Sequence, residues 1–260
     1  MLIAIDIGNS RIKAGKFIDN KLTEFHSFKD ITDILSFLMS NPKDNVAISS
    51  VVPDKTKIIS EEVFKINGKS PFIITKDVKT NLTLDYKTPE TLGLDRLCSA
   101  EGAYFLFKNS EEYKNYNESV YILSIDFGTA TTINIIKYPG KFIGGLIAPG
   151  LEMMFDSLKQ KTAQLPLLSI SDFVSTIGKD TKSSIASGVV TSVVGMIEKT
   201  FNDLINAGTR RDSSLQNVVV YLTGGNAKKI IPYLSFDLVY EEGLVLDGVN
   251  ALWELNKLTI

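Results

Sequence analysis

Two short stretches of this chain carry an aspartate at a spacing that suits phosphate chemistry. Asp6-Ile7-Gly8-Asn9-Ser10 and Asp126-Phe127-Gly128-Thr129-Ala130 share the order Asp-apolar-Gly-polar-small, each follows an isoleucine, and they lie 120 positions apart. An aspartate ending a strand delivers its carboxylate to a sheet edge. A glycine turn after it lets successive backbone N–H groups converge on an anion. The carboxylate must then work through a cation. In the first copy Asn9 and Ser10 add short polar contacts, and Lys13 on the following strand can neutralise a phosphate as a point charge. In the second, Thr129, Thr131 and Thr132 supply hydroxyls. One Asp-x-Gly alone is an ordinary turn. Two in register point to a nucleoside triphosphate and its metal held between two half-domains.

Competing phosphate signatures are absent: there is no Gly-x-x-x-x-Gly-Lys-Ser/Thr and no Gly-x-Gly-x-x-Gly opening a helix after a strand. Leu222-Thr223-Gly224-Gly225-Asn226-Ala227 does join a strand to a helix. Its glycines would let a flat adenine approach the backbone, or would serve only the turn, and spacing leaves both open. In Thr88-Pro89-Glu90-Thr91-Leu92-Gly93-Leu94-Asp95-Arg96, Pro89 and Gly93 fix a loop and Asp95-Arg96 open a helix. A carboxylate there is usually a favourable partner of the helix dipole, worth ~1 kcal/mol. Beside a phosphate cleft, Asp95 becomes a candidate base for an acceptor hydroxyl and Arg96 a clamp for an anionic group. Cys98, one turn further along, reads as a buried thiol, and His26 as a half-exposed strand residue.

These residues need elements to hold them. Strands are predicted over Leu2–Ile7, Arg11–Phe17, Leu22–Phe28, Val46–Ser50 and Pro71–Thr75, with helices over Asp30–Met39 (Asp30 as N-cap), Lys55–Ile66 and Leu94–Phe107. The turn Gly8-Asn9-Ser10 suits residues that tolerate positive φ. The pattern restarts with strands over Val120–Asp126, Thr131–Tyr138 and Phe142–Ile147, after which Gly144-Gly145 and Pro149-Gly150 lead into a helix. A long helix is predicted over Asp180–Asn206, where Gly188 and Gly195, seven apart, suggest close packing against another backbone. Strand Val218–Leu222 and helices Asn226–Ile231 and Gly248–Asn256 close the chain. At 260 residues and 44% hydrophobic, a chain of this size corresponds to about 1.7 typical domains. The recurrence of the Asp-x-Gly turn divides it into halves 1–117 and 118–260 built alike.

Composition narrows the chemistry further. Lys plus Arg number 28 against 30 Asp plus Glu, net −2, so no basic excess points to nucleic acid or anionic membrane. One histidine removes multi-histidine zinc sites, and one cysteine precludes an intrachain disulfide. The apolar start Met1–Ile5 stops far short of the ~20 residues of a membrane span, so the expectation is a cytoplasmic protein.

Taken in order, Asp6–Ser10, Gly93-Leu94-Asp95-Arg96, Asp126–Thr132, Gly144-Gly145 with Pro149-Gly150, and Thr223-Gly224-Gly225-Asn226 resemble the motifs of type III pantothenate kinases across essentially the whole chain. The resemblance implies an α/β fold of duplicated ribonuclease-H-like domains around a central cleft, as in actin-like ATPases. It implies transfer of the γ-phosphate of ATP to pantothenate, giving 4′-phosphopantothenate, the first step of coenzyme A biosynthesis. By that analogy Asp95 is the general base, and Asp6, Ile7, Gly8, Asn9, Ser10, Arg11, Ile12, Lys13 and Thr129 contact ATP. Tyr86, Gly93, Leu94, Asp95, Arg96 and Thr181 bind pantothenate, Thr181 across the interface of a homodimer. Asp126 would hold a monovalent cation (K+ or NH4+), and Asp6 would face Mg2+ through water. Two departures, Ser10 where threonine is common and Leu94 where a smaller apolar residue is common, remove no catalytic group. The alternatives are a nucleotide-binding regulatory accessory factor of the same fold, which need not keep Asp6, Lys13, Asp95 and Asp126 together, and a kinase for a sugar or simple carboxylate.

Overall fold

The chain opens with a continuous apolar run that is covered on both faces, and this decides where its first carboxylate points. The computed structural model describes residues 1–111, 120–207 and 217–259. Strand β1 (Leu2–Ile7) pairs antiparallel with β2 (Ile12–Ile18) and parallel with β4 (Asn45–Ser50); β3 (Lys21–Phe28) and β5 (Phe72–Ile73) complete the order β3-β2-β1-β4-β5. Ile3, Ile5 and Ile7 pack with Ile34 and Leu38 of α1 (Ile31–Met39) and Ile59 and Val63 of α2 (Pro53–Asn67). Leu2 and Ala4 face the other way, toward Cys98 of α3 (Leu94–Asn109) and Leu246, Val249 and Leu252 of α7 (Leu244–Asn256). Side chains alternate faces along a strand, so Asp6 lies on the α3/α7 side.

The second sheet has the order β11-β10-β7-β8-β9-β6. Here β7 (Val120–Phe127) pairs antiparallel with β8 (Ala130–Lys137) and parallel with β10 (Asn217–Thr223), and β11 (Val239–Tyr240) runs parallel beyond β10. On the far side, β9 (Lys141–Pro149) carries the two-residue β6 (Thr83–Leu84). Without β6, the order 9-8-7-10-11 repeats 3-2-1-4-5, and the central strand has the same antiparallel and parallel neighbours in both. The predicted duplicated α/β fold is thus present in the strand order. Leu123, Ile125 and Phe127 pack against Phe155 of α4 (Leu151–Lys161) and Val189, Val193 and Ile197 of α5 (Thr181–Ala207). A short α6 (Ala227–Ile230) follows β10. Each such fully buried aliphatic side chain contributes roughly 1.5–3 kcal/mol.

The chain forms two compact units: 1–115, 139–144 and 243–260 in one, 116–138 and 145–242 in the other. The boundary expected between residues 117 and 118 lies outside the described residues. The last helix returns to the first unit, and it begins at Leu244, one turn before the expected Gly248.

Three local expectations change. Asp30 holds the N-cap position of α1 without a side-chain hydrogen bond. Neither Gly8 nor Gly128 has positive φ; among non-glycine residues that conformation falls at Asp19 and Asn20, in the β2–β3 turn, where a two-residue hairpin needs it twice. Gly188 and Gly195 have nothing within 4 Å of where a Cβ would stand among the described residues, so they meet no other backbone there. The close helix contact is elsewhere. A Cβ on Gly102 would stand 2.0 Å from the Leu244 carbonyl oxygen, and one on Gly248 would stand 1.8 Å from that of Cys98. The absence of both side chains lets α3 and α7 touch backbone to backbone.

Candidate functional site

In the first unit the carboxylate of Asp6 sits in a cross-strand row. Asp6 is opposite Lys13 on β2 and Ser49 on β4, and residues directly opposite one another point to the same face, their Cβ atoms about 5 Å apart. The turn closes with Gly8 N–H donating to the Arg11 carbonyl at 3.0 Å. Asn9, Ser10 and Arg11 are exposed, whereas Ile7 and Ile12 have no exposed surface. The two isoleucines, expected among the ATP contacts, are thus covered on all sides and serve to hold the turn.

Helix α3 enters from the same side. Gly93 is its N-cap, with extended φ and ψ, and Asp95 lies in its first turn, half-buried. The Asp95 Oδ1 accepts from the Arg96 N–H at 2.8 Å. Arg96 is buried, its guanidinium 5.8 Å from the ring centre of Phe142, and Tyr86 meets the same ring edge-on at 5.8 Å. Tyr86 and Arg96 thus meet at the Phe142 ring, and Asp95 precedes Arg96 in the same helical turn. Burial pushes the Cys98 thiol pKa up strongly; a bond with Ser49 opposes the rise, and the charges of Asp6, Glu101 and Asp95 add to it. Cys98 is thereby an inert core thiol, as the sequence suggests. Leu2 and Ala4 of β1 cluster with Cys98, so Asp6, on the same face of β1, and Asp95, at the start of α3, lie on one side of the first sheet.

The second unit repeats the row with other side chains. Asp126 is opposite Thr132 on β8 and Thr223 on β10. Thr223 Oγ1 donates to the Glu242 carbonyl at 3.1 Å, and buried Asn134 donates to Ser124 Oγ at 3.1 Å on the same face as Asp126. Gly128 N–H donates to the Ala130 carbonyl at 3.1 Å, and Gly150 N–H to that of Thr129 at 3.0 Å. A Cβ on Gly150 would stand 2.5 Å from the carbonyl oxygens of Gly128 and Thr129. The Pro149-Gly150 step therefore props the turn that presents Thr129, which is exposed.

Gly224 has φ +98°, and a Cβ there would stand 2.5 Å from Asp126 Oδ1 and from Phe127 N. One half of the Thr223-Gly224-Gly225-Asn226 signature is thereby explained: Gly224 leaves room at the carboxylate. Gly225 has open space around it. Gly224→Ala is expected to lower stability by roughly 1–3 kcal/mol through backbone strain and this clash; an unshifted thermal melt would contradict the close approach.

As hard oxygen donors, Asp6 and Asp126 fit magnesium or a monovalent cation, and the space left at Asp126 by Gly224 is a cradle a side chain would fill. No three His, Cys, Asp or Glu side chains gather as a metal centre among the described residues. A cation bound here would be held by Asp6 or by Asp126 and would supply positive charge.

Thr181 stands apart from these groups at the start of α5, whose first turn is locked reciprocally. Ser183 N–H donates to Asp180 Oδ1 at 3.0 Å, and Asp180 N–H donates to Ser183 Oγ at 3.1 Å. Thr181 is exposed and lines an open groove of about 890 Å³ with Pro149, Met153, Met154, Ile185, Gly188 and Val189, among others of α4 and α5.

Sequence reading missed Ser49, Phe142 and Glu101. Ser49 ends a predicted strand just as Asp6 does, so parallel pairing of the two strands would have found it. Phe142 and Glu101 carry no local signal.

A family model described as type III pantothenate kinase matches residues 2–203. Type III pantothenate kinase 1 of Francisella tularensis subsp. holarctica is 32% identical over 99% of this chain and all of its own length. The type III pantothenate kinase of Finegoldia magna is 31% identical over 99% of this chain and 98% of its own. A crystal structure described as a conserved Baf family transcriptional activator from Campylobacter jejuni covers 98% of both chains with TM-score 0.60 and 18% identity, a likeness of fold.

Proposed function

Since the chain belongs to the type III pantothenate kinase family, we propose how its own residues serve the transfer of the ATP γ-phosphate to the primary hydroxyl of pantothenate, the reaction that opens coenzyme A biosynthesis. The activity follows from full-length similarity to that family. Asp95 accepts the proton of the hydroxyl as its oxygen attacks the γ-phosphorus and the bond to the ADP oxygen breaks. Arg96 and Tyr86, with the backbone at Gly93 and Leu94, hold the pantothenate carboxylate and amide portion. Asp6, Gly8, Asn9, Ser10, Arg11 and Lys13, with Thr129, hold ATP, and buried Ile7 and Ile12 keep the turn in place. When bound, magnesium near Asp6 and a potassium or ammonium ion near Asp126 supply positive charge to the phosphate oxygens. What supports the assignment above all is that Asp6 faces the side of the first sheet against which α3, the helix that begins with Asp95, is packed.

The halves 1–117 and 118–260 are read as duplicated ribonuclease-H-like units. A cytoplasmic location belongs to the same proposal; separately, no helix among the described residues is long and apolar enough to cross a membrane. A homodimer is proposed with Thr181 reaching the partner's substrate. The exposed Thr181 and Gly188 in the open α4/α5 groove support it. Under this reading light scattering returns a dimer, and Thr181→Ala raises the KM for pantothenate several-fold while leaving that for ATP unchanged. A fully active monomer would overturn the role of Thr181.

The acceptor is tested by ADP release from the purified chain with ATP, magnesium and potassium. Release with pantothenate that stops on chelation of magnesium is the expected result. Release with a sugar instead would overturn the reading.

A further inference from the structure

Glu101 is a carboxylate with no exposed surface, two turns beyond Asp95 on α3, and none of the roles above uses it. Its Oε1 accepts from the backbone N–H of Asn81 at 2.8 Å and of Leu82 at 3.2 Å, and its Oε2 accepts from Asn81 Nδ2 at 3.0 Å. Burial raises its pKa, and the three donors oppose that rise. Taking a carboxylate out of water costs several kcal/mol unless such donors offset it. A backbone segment needing only a hydrogen-bond partner would be served by a neutral amide. What two oxygens add is a grip on both the main chain and the side chain of Asn81, which fixes its rotation as well as its place.

The gripped segment leads straight into the substrate pocket. Asn256 fixes Lys79 from the other side, accepting from its N–H and donating to its carbonyl, each at 3.0 Å. After Leu82 the chain enters β6, where Thr83 N–H donates to the Gly140 carbonyl and Asp85 N–H to that of Phe142, both at 2.8 Å. Lys141 pairs with Asp85 at 2.8 Å, and Tyr86 follows against Phe142. On the same helix face as Glu101, Tyr104 donates to the Pro139 carbonyl at 3.1 Å and so holds the β9 side of this pair. One rigid helix thus carries Asp95 at its start and, further along, the clamp on the strand pair that bears Tyr86 and Phe142.

We infer that Glu101 is a positioning residue of the acceptor pocket, setting the distance between Asp95 and the Tyr86–Phe142 wall through its clamp on Asn81 and Leu82. This rests on the assignment of that pocket to pantothenate. Misplacement of a positioning group by about 1 Å can cost as much as 100-fold.

Steady-state kinetics of the full chain test it, varying pantothenate and ATP separately. Glu101→Ala is expected to raise the KM for pantothenate by about 10-fold or more and to leave that for ATP within about two-fold. Glu101→Gln, which keeps an acceptor for the two backbone donors but faces Asn81 Nδ2 with its own amide, should fall between. Asn81→Ala, at an exposed residue, removes only the side-chain bond and should raise the pantothenate KM a few-fold even where Glu101→Ala fails to fold. Parallel changes in both KM values, or a loss of thermal stability with pantothenate kinetics unchanged in Asn81→Ala and Glu101→Gln, would overturn the inference while wild-type turnover of pantothenate kept the pocket assignment standing. No wild-type turnover of pantothenate would remove both.

Discussion

Replacing Asp95 with asparagine is expected to lower kcat at least ~100-fold, the usual scale for loss of a general base, with ATP binding retained. The substitution separates chemistry from structure. Asparagine has the shape of aspartate, and its Oδ1 can still accept the 2.8 Å bond from the Arg96 N–H. What disappears is the group able to take the hydroxyl proton. Gly93, Leu94 and Arg96 keep their places, so KM for pantothenate should change far less than kcat. Nucleotide binding, followed by calorimetry without pantothenate, should be unchanged because the Asp6–Lys13 turn is untouched. Near-normal kcat in Asp95→Asn would remove Asp95 from the reaction.

The largest effect on stability is expected at Gly248, which no consideration of the chemistry would single out. Its missing side chain would stand 1.8 Å from the Cys98 carbonyl oxygen, 2.6 Å from the carbonyl carbon and 2.9 Å from Cα. All three are backbone atoms of a helix, so no rotamer change can relieve the contact and α3 and α7 must separate. Overpacking of this kind costs about 3 kcal/mol, and in a chain of this size that lowers Tm by roughly 6–12 °C. Because α3 carries Asp95 and α7 packs against β1, which carries Asp6, turnover should fall with stability. Gly195→Ala is the control. Nothing lies within 4 Å of its added methyl, so the gain in helix propensity, up to ~1 kcal/mol, should leave the melt unchanged or raise it. A melt for Gly248→Ala indistinguishable from wild type would show that the helices are not in backbone contact.

How much of this was legible beforehand depended on the range of the interaction. The strand ends at Asp6 and Asp126 were readable because a near-continuous apolar run stops at a carboxylate and glycine follows within two residues. From their recurrence came the duplication, which the repeated strand order bears out. Helix α3 was readable because Pro89 and Gly93 punctuate the loop before it. The α3/α7 contact was not, since Gly102 and Gly248 lie 146 positions apart and glycine in a helix announces a close approach without naming the partner. Spacing instead favoured Gly188 and Gly195, which are evenly placed but open. Glu101 was invisible for a similar reason. Within its helix it reads as one more charged residue, and only the fold brings Asn81 and Leu82 over it. The N-cap at Asp30 and the glycine turns at Gly8 and Gly128 failed at a finer level. There the residue type tolerated a conformation or bond that the backbone did not need.

The central claim, that this chain moves a phosphoryl group from ATP to pantothenate, is tested most directly by the product itself. Purified protein should be incubated with ATP carrying a labelled γ-phosphate, pantothenate, magnesium and potassium, and the products resolved by mass. The expected result is labelled 4′-phosphopantothenate formed in equal amount with ADP, and none with Asp95→Asn over the same period. ADP and free labelled phosphate without phosphopantothenate, or no ADP at all, would contradict it.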